Sequence, residues 1–82
     1  MKREEIITEI SQIVYHNLGL NVPTDEKIFS STEIDSLDML SITMDIESKF
    51  NIEISDDTIV EIVKEEHSIE SLADKLIAKY SL

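Results

Sequence analysis

The stretch Asp35-Ser36-Leu37-Asp38-Met39-Leu40-Ser41-Ile42-Thr43-Met44-Asp45-Ile46-Glu47-Ser48-Lys49-Phe50 decides the fold. Asp35 is a favoured N-cap residue, and Asp38 follows three positions on, an approximate capping box with Asp in place of Glu. The pattern predicts a helix from this motif to about Phe50 or Asn51. At ~100° per residue its apolar side chains fall into two stripes instead of one. Met39, Ile42, Ile46 and Phe50 cluster on one side, while Leu37, Leu40 and Met44 lie nearly opposite, with Ser41 and Ser48 among them. A helix in a small domain needs only one buried face. The second stripe is therefore to be covered either by the preceding loop or by a partner. Asp38, Asp45 and Glu47 stand around it, and an apolar strip with an acidic margin suits a basic surface with an apolar centre.

Upstream, Ile6, Ile7, Ile10, Ile13 and Val14 repeat at i, i+1, i+4, i+7 and i+8, which predicts an amphipathic helix from about Arg3 to Asn17. Glu4 and Glu5 suit its N-terminus, and Gly19 is placed to end it. From Leu18 to Asp35 the periodicity breaks around Pro23 and Ser30-Ser31-Thr32. A connection this long is uncommon in a small domain unless ordered or functional. Leu20, Val22, Ile28, Phe29 and Ile34 are expected to pin it to the core. Downstream, Ser55-Asp56-Asp57 has the form of a cap followed by first-turn acids, with a short helix expected over Thr58 to Val63. Ser68 caps a last helix carrying Ile69, Leu72, Ala73, Leu76, Ile77 and Tyr80 at helical spacing. The expected fold is all-α, a small four-helix bundle of three longer helices and one short one, with a long first loop and a single domain over 1–82.

Composition narrows the functions. Seven basic against 18 acidic residues give a net charge of −11, which disfavours nucleic acid and anionic membrane and favours a basic protein face. With no cysteine there is no disulfide, thiolate metal site or thiol nucleophile in the chain. The N-terminal residues form neither a signal peptide nor a membrane span, so the expected compartment is the cytoplasm.

Catalysis finds little support. A nucleophilic serine needs a base and oxyanion donors, yet neither His16 nor His67 is tied by sequence to Ser36, and no Gly-x-Ser-x-Gly elbow is present. No acidic cluster has the spacing of an EF-hand, and no metal site is expected. Ser36 is then a candidate substrate for another enzyme: a serine in the first turn of a helix exposes its hydroxyl, and the helix N-terminus favours a negative group attached there. An ordinary cap-region serine is the alternative that position alone leaves open.

Asp35-Ser36-Leu37-Asp38, the helix to Phe50 and then Asn51-Ile52-Glu53-Ile54-Ser55-Asp56 together resemble the acyl carrier proteins over nearly the whole chain. The resemblance implies that Ser36 receives 4′-phosphopantetheine from coenzyme A through a separate magnesium-dependent phosphopantetheinyl transferase (holo-carrier synthase). The arm's thiol would carry acyl groups as thioesters between enzymes of fatty-acid or related lipid and polyketide synthesis. The protein itself would be no enzyme, and a monomer. Asp35 would help place the transferase's metal and cap the helix. Leu37, Asp38, Leu40, Met44, Glu47, Glu53 and Asp56 would form the surface for partner enzymes with basic docking faces. Met39, Ile42, Ile46, Phe50, Ile62 and Leu76 would line the space for the acyl chain. Where the family usually has glycine this chain has Glu33, and Thr32, Ser41 and Ser55 stand where leucine, an acid and proline are common. An aminoacyl or peptidyl carrier, or an unmodified acidic helical interaction module, are the alternative readings.

Overall fold

Each helix starts where an oxygen can take up a free N–H group of the first turn. The structure, a computed structural model, describes residues 1–82. The first helix, α1, spans Arg3–Leu18; the Lys2 N–H donates to Glu5 Oε1 at 3.1 Å. Gly19 ends it in the left-handed region at φ 73°, donating its N–H to the Tyr15 carbonyl at 2.8 Å. The second, α2, spans Ser36–Phe50, with Asp35 Oδ1 accepting the Asp38 N–H at 2.9 Å. The expected capping box is only half made, because Asp38 is one methylene shorter than Glu and its carboxylate makes no return bond.

The third helix, α3, covers Asp56–Glu65 and so extends beyond the expected Thr58 to Val63 at both ends. Ser55 is its N-cap, accepting the Thr58 N–H at 3.2 Å, so the two aspartates form its first turn. The last, α4, covers Ile69–Tyr80, where Ser68 and Ser71 cap each other reciprocally. Four helices without a strand make the bundle all-α.

The first helix packs on both α2 and α4. The faces that meet are those set by the periodicity: Ile6, Ile10 and Val14 of α1, Ile42 and Ile46 of α2, and Leu72 and Leu76 of α4 are all buried. The connection from 19 to 35 is ordered by its apolar side chains, since Ile28, Phe29 and Ile34 are buried and Val22 half-buried. Leu20 does not join them and lies exposed. Phe29 and His67 exchange two backbone hydrogen bonds, at 2.9 and 3.2 Å, and Thr24 Oγ1 donates to Glu70 Oε2 at 2.6 Å. The loop is thus fastened toward α4, away from the second stripe of α2. Glu33 sits in its turn without a positive φ, so the backbone there makes no demand for glycine.

Ion pairs tie the helices at the surface. Arg3 grips Asp74 through two hydrogen bonds, at 2.6 and 3.2 Å, and this contact holds the Asp74 carboxyl below its ordinary range. Lys75 of α4 reaches both Glu61 and Glu65 of α3, at 2.7 and 3.0 Å. Those two bonds, to Glu61 first, raise the Lys75 pKa. Hydrogen bonds from His67 and then Lys75 lower that of Glu65.

Candidate functional site: the cleft at the start of α2

Ser36 is the first residue of α2 and is exposed to solvent. Its position follows from Asp35, whose extended backbone and capping carboxylate end the loop and leave the next side chain on the outer edge of the first turn. Beside it opens a cleft of about 650 Å³ between α2 and α3. The α2 wall is Asp35, Ser36, Met39 and Leu40, and the preceding turn adds Ser31 and Ile34. The α3 wall is Asp56, Ile59, Val60, Val63 and Lys64.

Neither histidine lines this cleft. His67 is engaged elsewhere, through Nδ1 with Ser71 Oγ at 2.9 Å and through Nε2 with Glu65 at 2.7 Å, and His16 stands against Tyr15 on α1. No three His, Cys, Asp or Glu side chains converge to hold a metal ion. The Ser36 hydroxyl therefore has no histidine beside it in the cleft, only the carboxylates of Asp35 and Asp56 in the same lining.

The second stripe of α2 stands uncovered: Leu37 is 74%, Met44 58% and Leu40 49% exposed. Val60 of α3, 56% exposed, extends the same apolar surface. Glu53 and Asp56 are exposed and Asp38 is half-buried. Glu47 is different, because its carboxylate turns back to accept the Ile54 N–H at 2.7 Å and is half-buried in doing so. It pins the α2–α3 connection, so its charge is already engaged.

The resemblance implies six residues as the lining of the space for the acyl chain. Ile42, Ile46, Ile62 and Leu76 are filled core and Phe50 is half-buried, so of the six only Met39 reaches the cleft. The open apolar space is walled by Ile34, Met39, Leu40 and the α3 residues Ile59, Val60 and Val63. Those α3 residues escaped sequence reasoning, although their i, i+1, i+4 spacing beside the buried Ile62 signals a second apolar face.

These residues fit a phosphate-linked arm. There is a free primary hydroxyl for the ester, a helix first turn for the negative charge, and an apolar cleft leading away from it. The fold and site therefore define a small helical bundle with an exposed serine at a helix start beside an apolar cleft. Residues 6–76 match the family described as PP-binding, phosphopantetheine attachment site, and the chain belongs to that family. Among its relatives, the acyl carrier protein of Tropheryma whipplei is 34% identical over 65 residues, 76% of this chain and 79% of that protein. An acyl carrier protein homolog of Mycoplasmopsis pulmonis is 39% identical over 62 residues, 76% and 78% of the two chains. The acyl carrier protein of Guillardia theta is 31% identical over 81 residues, 95% of this chain and all of that protein. No solved structure matches the chain significantly. Family membership makes the protein a carrier and not a catalyst, with 4′-phosphopantetheine as its covalent cofactor.

Proposed function

We propose that Ser36 is the attachment serine and that the loaded protein carries acyl groups between enzymes of fatty-acid or related lipid synthesis. One observation carries this reading: the exposed hydroxyl of Ser36 opens α2 at the mouth of a largely apolar cleft that no histidine lines. The arm, once bound, supplies the thiol that the chain lacks. Asp35 holds the start of α2 in place and lines the cleft beside the hydroxyl, where a transferase's metal can be met. Met39, Ile59 and Val63 offer an apolar wall to cargo, which favours an acyl chain over an aminoacyl group.

Leu37, Leu40, Met44 and Val60 supply the apolar centre of the docking face, with Asp38, Glu53 and Asp56 as its acidic margin. The partners are a phosphopantetheinyl transferase and acyl-processing enzymes with basic faces. No helix is long and apolar enough to cross a membrane. We place the protein in the cytoplasm, as a single-domain monomer.

Cargo class is tested on the arm-bearing protein with a fatty-acyl ligase, and in parallel with amino-acid-activating enzymes. A hydroxylamine-labile adduct of a fatty acid supports the acyl reading. An adduct of amino acids alone overturns it in favour of an aminoacyl carrier.

A further inference from the structure

Lys64 is the only basic residue in the wall of the cleft that Ser36 opens onto. In a chain with 18 carboxylates, a lysine on a helix ordinarily meets an acid three or four positions away. Here the position four before it is Val60, and Glu61, three before it, is held by Lys75 at 2.7 Å. The next residue, Glu65, is held by Lys75 at 3.0 Å and by His67 at 2.7 Å. The salt bridges of the structure run through Arg3, Lys49, Lys75 and His67, and none reaches Lys64. Lys75 thus takes Glu61 and Glu65, and Lys64 is left without a carboxylate within 4.0 Å.

Across the cleft the surroundings of Ser36 are acidic. Asp35 precedes it, Asp38 follows in the same turn, and Asp56 stands in the facing wall. A phosphodiester on Ser36 adds another negative charge to this group, and the free cation in the same cleft is the available counter-charge.

On the reading that Ser36 carries the arm, we infer that Lys64 is a positioning residue that pairs with the phosphodiester of the attached 4′-phosphopantetheine and orients it along the α2–α3 cleft. An ordinary last-turn lysine would only complement the carboxyl end of α3. That role would be the same with or without the arm, which separates the two explanations.

The test compares melting temperatures of the apo and arm-bearing forms for wild type, Lys64→Gln and Lys64→Arg, each at low salt and at 0.5 M salt (about a 4 Å Debye length). Intact mass first establishes that each variant has been loaded. If none can be loaded at Ser36, the attachment reading itself fails. With loading established, pairing predicts that the change in melting temperature on attachment is less favourable in Lys64→Gln than in wild type by about 2–4 °C, the scale of an exposed ion pair in a domain of this size. Lys64→Arg should restore the wild-type change, and high salt should close the gap. An equal change on attachment in all three proteins overturns the proposal, as does a Lys64→Gln effect of the same size in apo and loaded forms.

Discussion

Replacing Glu47 with alanine separates a structural carboxylate from a docking one. The bond to be lost runs from the Ile54 N–H to Glu47 Oε2 at 2.7 Å, across seven residues and around the turn that joins α2 to α3. Ile54 is buried and the bond itself partly buried, so without Glu47 its N–H loses its protein acceptor in a site only partly open to water. A hydrogen bond to a charged group contributes about 1.5–3 kcal/mol, and an orphaned buried donor costs about 1–3 kcal/mol. Taking about 2 kcal/mol, and about 4–8 °C per kcal/mol for a domain of this length, the melting temperature should fall by about 10 °C. Glu47→Gln keeps an acceptor of the same length and should lose less than half of that. Melting followed by far-ultraviolet circular dichroism gives the first number, and amide exchange at Ile54, which should accelerate in Glu47→Ala, locates the cause. If Glu47→Ala melts within about 2 °C of wild type while partner binding weakens, the side chain serves docking and the structural argument is wrong.

Removing Asp35's cap with Asp35→Ala should cost about 1 kcal/mol, read as a lower melting temperature, because the Asp38 N–H loses its acceptor. Phe29→Ala, which empties a fully buried site where the long loop meets the bundle, should cost about 3–5 kcal/mol by denaturant titration, enough to unfold much of the population. The Arg3 contact lowers the Asp74 pKa in the folded state. Its stabilisation is therefore present above the unfolded carboxyl value of about 4 and is lost as pH falls through the folded value. Both side chains are about half exposed, so the effect is small. The melting difference between wild type and Asp74→Asn should be largest near neutral pH and vanish in acid; a difference that persists below pH ~2 would refute it.

Much of the architecture could be read from residue order because it depends on local chemistry. Asp35, Ser55 and Ser68 are caps by residue type, Gly19 meets a left-handed end, and the periodic faces of α1 and α4 are the ones the core buries. The two stripes of α2 were also legible, since helix geometry alone puts Leu37, Leu40 and Met44 opposite Met39, Ile42 and Ile46. What escaped depends on how elements meet. The α3 wall of the cleft exists because α3 faces the start of α2 across it, an arrangement that no local period encodes. Glu47 has the look of a free surface acid until the chain reversal brings Ile54 back to it. Leu20 was expected in the core on hydrophobicity, but the loop is anchored at Ile28, Phe29 and Ile34 and carries Leu20 outward. Ile42, Ile46, Ile62 and Leu76, expected to line the space for cargo, are buried in the core, whereas the open cleft is lined by Ile59 and Val63.

The central claim is that Ser36 is where the arm is attached. Its most direct measurement is intact-protein mass after incubation with coenzyme A, magnesium and a broad-specificity phosphopantetheinyl transferase, with Ser36→Ala alongside. Ser36 is exposed at the first position of α2, so the variant should fold with a stability within about 0.5 kcal/mol of wild type. The account predicts the gain of one phosphopantetheine on wild type and none on Ser36→Ala. A gain on both proteins, or on neither with several transferases, would contradict it.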